Sequence, residues 1–137
     1  MVKIPGKSID PKSTMRLNLQ QLKQQSIQRR IKGLTILEKV MITNKKLLNP
    51  DLIHEGAILV WNMGVPFLNN ANRKHIYKSF LEVVKLLELI KSNNYLMRVN
   101  FHLEIAKNDI ADDFLRRAED HIKKAILLDY STLKSKL

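Results

Sequence analysis

A chain of 137 residues with 24 Lys or Arg against 13 Asp or Glu carries a net charge of +11 and contains no cysteine. That length favours one domain, and the missing cysteines exclude a disulfide framework, a Cys-based zinc module, an iron-sulfur cluster and a thiol nucleophile. Hydrophobic residues at 45% suffice for a packed core, while four Gly and four Pro are too few for an all-β protein full of tight turns. The charge is unevenly placed. Residues 1–32 hold eight basic side chains and one acid, a local balance of +7, which leaves only +4 for the other 105 residues. The distribution is that of a basic arm on a nearly balanced body, and such an arm suits a nucleic acid, an anionic membrane or an acidic protein surface.

No apolar run approaches the roughly 18 to 20 residues that would cross a bilayer. The opening Met-Val-Lys-Ile-Pro-Gly-Lys lacks the apolar region of a secretory signal. A mitochondrial presequence is also disfavoured, because Lys and Gln dominate the acid-poor start where Arg and Ser are expected.

Pro5, Gly6 and Pro11 are expected to keep residues 1–13 a disordered basic arm, followed by a single helical domain over 14–137. The spacing of Met15, Leu19, Leu22, Ile27 and Ile31 predicts an amphipathic helix from Thr14 to Lys32, whose apolar stripe packs on the first hairpin. Gly33 should break it. A second helix follows through Leu34, Leu37, Val40, Met41, Ile42 and Leu48 and closes at Asn49-Pro50. A third runs from Asp51 to Phe67 with a wide apolar surface, its Gly56 and Gly64 read as close packing contacts. A fourth spans Asn72 to Lys91, a turn at Ser92-Asn93-Asn94 follows, and a fifth runs from Tyr95 to Lys107. The acids Asp109, Asp112 and Asp113 are expected to favour the start of a sixth helix, from Asp112 to Leu128. No stretch alternates like a strand.

Short connections make neighbouring helices antiparallel, giving three hairpins in series. Gly33, Ser79 and Ala118 can be aligned as small residues on the second helix of each pair. Leu37, Val83 and Ile122 then fall four residues on, and Val40, Leu86 and Ala125 seven on. In the last hairpin Ala118, Ile122 and Ala125, followed by Leu128-Asp129, resemble the second helix of a tetratricopeptide repeat, although Tyr130 stands where that repeat usually has Pro. The fold expected is all-α, with antiparallel hairpins stacked as a TPR-like α-solenoid segment.

A longer resemblance covers residues 30–130. Trp61-Asn62 with Pro66-Phe67-Leu68, Arg73-Lys74-His75, Met97-Arg98-Val99 with His102-Leu103-Glu104-Ile105-Ala106-Lys107, and Lys124-Ala125-Ile126-Leu127-Leu128-Asp129 occur in an order similar to part of the cilia- and flagella-associated protein 46 family. The resemblance implies a TPR-containing protein of the axoneme, in a projection of the central-pair apparatus. It further implies a structural role among other axonemal proteins, in the cytoskeleton of a cilium or flagellum, and carries over no catalytic residue.

Little in the sequence points to an enzyme. No nucleophile motif or glycine-rich phosphate loop is present. His54, His75, His102 and His121 fall on four different predicted helices without ligand spacing, so no metal or cofactor is expected. Within the arm, Lys23, Arg29, Arg30 and Lys32 are the candidate partner contacts, toward tubulin or a calmodulin-like groove. Gly33, Trp61, Asn62, Pro66, Ala118 and Ala125 form a packing signature, with Trp61 expected in the core. The alternative function is a basic helical adaptor that binds nucleic acid through its arm, weakened by the lack of aromatic stacking residues before position 61.

Overall fold

The computed structural model describes residues 10–43, 45 and 49–136, with the side chains of 132–136 left aside. The expected disordered arm lies largely outside these residues, as does Leu48. Every regular element among the described residues is helical: α1 (Pro11–Thr43), α2 (Pro50–Gly64), α3 (Tyr77–Leu89), α4 (Tyr95–Ala111) and α5 (Leu115–Lys136). Two short 3-10 turns, Val65–Phe67 and Arg73–His75, lie between α2 and α3.

The first departure from expectation is α1. It runs 33 residues without a break, about 50 Å at 1.5 Å per residue. Its start at Pro11 follows from Asp10, whose carboxylate accepts from the Lys12 amide and the Ser13 hydroxyl. Proline suits a first-turn position because the amide it lacks would have had no helical partner. Gly33 does not end the helix. A lone glycine inside a helix costs about 1 kcal/mol, and burial of Leu34 with half-burial of Ile31 and Leu37 offsets that. The first two predicted helices are therefore one, and the three hairpins reduce to α1 followed by the pairs α2–α3 and α4–α5.

Helix α2 is capped by Asn49, whose side-chain oxygen accepts from the Asp51 amide at 2.9 Å. Pro50 takes the first helical position and Asp51 supplies an acid to the first turn, favourable at the positive end of the helix dipole. The chain then tightens into the Val65–Phe67 turn, which Pro66 favours, so α2 stops three residues earlier than predicted. The segment predicted as the start of the fourth helix is the Arg73–His75 turn, and α3 begins only at Tyr77.

The ends of α3 and α4 each use a left-handed residue. Lys91 at φ 50° closes α3 while the Ser92 amide donates to Leu87 O at 3.0 Å. Asp113 at φ 66° closes α4 while the Phe114 amide donates to Asp109 O at 2.8 Å. This is a Schellman ending, which usually takes glycine. Asp109, Asp112 and Asp113 therefore finish α4 rather than start the helix after it, and α5 has no acid in its first turn.

Helix α2 packs on α1 and α3, α3 packs on α1 and α4, and α4 packs along α5. The core lies among α1 to α4, around Leu34, Ala57, Val60, Phe80, Leu87 and Phe101. At its centre the Phe80 and Phe101 rings meet edge to face at 4.8 Å, and Trp61 stacks on Phe80 at 5.5 Å. Gly64 makes this possible: a Cβ there would lie 2.8 Å from the Phe80 ring. At Gly33, between α1 and α2, a Cβ would meet only the far end of the flexible Met63 side chain. Between α4 and α5 the small side chains are Ala118 and Ala125, both buried.

Candidate functional site

Two features stand apart from ordinary core packing: the exposed half of α1 and a partly buried polar network that joins α3, α4 and α5. Residues 10–26 are exposed throughout, and contact with the core begins at Ile27. Met15, Leu19 and Leu22 are 65%, 53% and 60% exposed. The expected packing of this stripe on the first hairpin thus holds for Ile27 and Ile31 and fails for the three residues before them. The physical reason is the unbroken helix, which carries the first half of α1 past the end of α2.

The four candidate contact residues divide. Lys23, Arg29 and Lys32 are exposed. Arg30 is half-buried, with Nη1 donating to Asn62 O and Met63 O, each at 3.5 Å. Those carbonyls belong to the last turn of α2, where a cation is favoured. Arg30 therefore fastens α1 to α2. Asn62 is otherwise exposed, as is Pro66, while Trp61 is half-buried against Phe80 and at 5.3 Å from Phe101.

The polar network is centred on Glu88. Its Oε1 accepts from His102 Nε2 at 2.8 Å, and its Oε2 is ion-paired with Arg98. Arg98 Nη1 also donates to Ser92 O at 2.8 Å, which ties the α3 terminus to α4. The other ring nitrogen of His102, Nδ1, lies 2.9 Å from Nδ1 of His121 on α5. With His102 Nε2 donating to the carboxylate, a neutral His102 accepts at Nδ1, so His121 donates. Burial pushes the Glu88 carboxyl up, but the hydrogen bonds from His102 and Arg98 outweigh it and leave the group below its ordinary value. Burial also holds His102 and His121 down, helped at His121 by the facing His102 and Lys124.

A second ion pair lies nearby. Arg73 Nε donates to Glu104 Oε2 at 2.8 Å and Arg73 Nη1 to Asn70 Oδ1 at 2.6 Å, so the irregular stretch before α3 is fastened to α4. Asp109 is buried, with Oδ2 unpaired by any hydrogen bond. Burial and that carboxylate raise the Tyr77 hydroxyl, with Arg117 opposing.

The four histidines stand on four separate predicted helices. His54 meets the Ser92 hydroxyl at 2.6 Å, and His75 lies edge-on to Phe67. His102 and His121 do meet, and a signal for it exists: they stand ten residues before and eight residues after the turn at 112–113, a near-symmetric placement that an antiparallel hairpin brings together. Among the described residues, no group of three or more His, Cys, Asp or Glu could hold a metal ion. No helix among them is long and apolar enough to cross a membrane.

These features define an all-helical protein whose internal polar groups fasten helix to helix and whose most exposed element is a basic helix. It is similar to cilia- and flagella-associated protein 46 of Chlamydomonas reinhardtii, with 36% identity over 100 residues. The match covers 73% of this chain and 4% of that protein, so the chain spans a small part of its relative's length. No protein-family model matches the chain.

Proposed function

We propose that this chain is a member of the cilia- and flagella-associated protein 46 family and acts as a non-enzymatic structural module of a ciliary or flagellar axoneme, in a central-pair projection. The observation that carries this reading is the 36% identity over 100 residues. In this reading α2–α3 and α4–α5 are successive units of a TPR-like stack, with α1 as the second helix of a preceding unit. Two pairs of positions support that register. Ser79 and Ala118 are both buried at the small position, and seven residues on Leu86 and Ala125 are both buried as well. The module holds neighbouring axonemal proteins in place through its exposed faces, and the ion pairs of Arg73 and Arg98 keep those faces in fixed relation.

The test is the position of a tagged copy expressed in a ciliated cell. Signal along the axoneme, retained after detergent extraction and lost when the central pair is absent, is the expected result. Signal confined to ribosomes or chromatin overturns it in favour of a nucleic-acid adaptor.

A further inference from the structure

Helix α5 is held by less than any other helix of the body. It packs along α4, and none of its residues belongs to the core formed by α1 to α4. Its buried apolar side chains are small in total: Ala125 and Leu128 close on Val99 with Tyr95 beside them, and Ala118 is buried seven residues earlier. Hydrophobic stabilisation scales with the apolar area removed from water, so two alanines and one leucine hold the helix weakly. Leu115, Ile126 and Leu127 remain exposed. Between Ala118 and Ala125, in the middle of this interface, stands the contact of His121 with His102.

That contact has room for one hydrogen between the rings. Glu88 Oε1 takes the Nε2 hydrogen of His102, which leaves Nδ1 of a neutral His102 bare, and Nδ1 of His121 supplies the hydrogen across 2.9 Å. One added proton is accommodated, because it can sit on the other ring nitrogen of half-buried His121 and leave the shared hydrogen in place. A second must go to His102 Nδ1. It sets N–H against N–H at hydrogen-bond distance and brings two cationic rings together with centroids 5.2 Å apart. The neighbouring charges do not relieve this. Glu88 of α3 is already shared with Arg98 of α4. Asp109 of α4 and Asp120 of α5 favour a charged His121, but Lys124 of α5 opposes both rings and Arg98 opposes His102.

We propose that the His102–His121 contact is an acid-sensitive latch: when both rings are protonated, α5 swings off α4 as a unit while α1 to α4 stay folded. Histidine is the side chain whose charge ordinarily changes between pH 5 and 8, and two rings in contact titrate as a pair. Burial holds both below 6.5 in the closed state. Opening therefore takes up protons, and is favoured as pH falls below about 6.5. The hinge is the turn between α4 and α5, where Asp113 stands at φ 66°. Opening uncovers Val99 and both histidines. A segment with few apolar contacts is the one expected to open below the global unfolding free energy. The latch goes beyond the axonemal reading and is independent of it, since it rests on the α4–α5 interface.

Hydrogen exchange read by mass spectrometry on the full chain, at pH 7.5 and 5.5 with labelling times scaled for the intrinsic pH dependence, tests this. Protection over α5 should fall at least about tenfold at pH 5.5, because opening is coupled to up to two protons, while protection over α2 and α3 stays the same. In His121→Gln the amide can donate to a neutral His102 Nδ1 or accept from a protonated one, and no second cation forms. That variant should keep α5 protected at pH 5.5. Equal protection of α5 at the two pH values overturns the latch, as does loss of protection in all helices together. So does a His121→Gln protein whose α5 responds to acid like the parent.

Discussion

Gly64→Ala should destabilise the protein, although alanine is the better helix former. The methyl group would lie 2.8 and 2.9 Å from two carbons of the Phe80 ring and 3.4 Å from Cγ2 of Ile76. That ring cannot retreat, because Trp61 stacks on one side of it and Phe101 meets it at 4.8 Å. Overpacking of this kind costs about 1 to 3 kcal/mol. The propensity gain is at most about 1 kcal/mol in a helix interior, and less at Gly64, the last residue of α2. With a propensity gain of about 0.5 kcal/mol at that helix end, the net loss should be about 0.5 to 2.5 kcal/mol, or a fall in Tm of several degrees for a chain this size. Gly33→Ala is the control with the opposite sign. Its methyl would meet the far end of the Met63 side chain, which can swing aside, and Gly33 lies deep inside α1. That variant should be neutral or up to about 1 kcal/mol more stable. Urea denaturation followed by circular dichroism measures both. A Gly64→Ala protein at least as stable as the parent would show that the aromatic cluster is looser than described.

Lys91→Gly should stabilise by about 1 kcal/mol, since glycine takes the left-handed conformation at φ 50° without the Cβ penalty; a lower urea midpoint would contradict this ending of α3. Ala118→Leu should cost about 1 to 3 kcal/mol by forcing α5 away from α4, and a silent substitution would rule out a close crossing there. Acid should act in two stages. His102 and His121 titrate below 6.5 in the folded chain, so the unfolded chain takes up protons first, and stability should fall as pH drops below about 6.5 and on through the folded values. Glu88 and Glu104 titrate below 4.5, so their contribution is present above that value and lost as pH falls further. Urea midpoints from pH 7.5 to 4 give the profile, and a flat response between 7.5 and 5 would refute the pairing of buried His102 with half-buried His121.

Helix positions were readable from apolar spacing because burial along α2 to α5 follows the 3.6-residue period closely. Boundaries were less so, for local reasons. Gly33 reads as a break by propensity, but the contacts of Leu34 and Ile31 override a penalty that small. Asp113 reads as a helix-start acid, yet its left-handed conformation ends α4, a choice made by the Phe114 amide finding Asp109 O. The exposure of the Met15, Leu19 and Leu22 stripe is not legible in the sequence, because amphipathic spacing says that a face is apolar and not what covers it. The Glu88, His102 and His121 chain is not legible there either, because its members are far apart in sequence and meet only once the hairpin is folded.

The continuity of α1 has a consequence for the order in which it forms. A free segment the size of residues 11–26 would be a marginal helix in water, because nucleating the first turn fixes several dihedrals for a single hydrogen bond. Here the turn around Leu34 is held by the core, so the exposed half needs only propagation, one residue at a time, away from the body. Its amide protons should then exchange with solvent in a gradient, fastest near Pro11 and slowest near Ile27. The tip frays and re-forms without a new nucleation event.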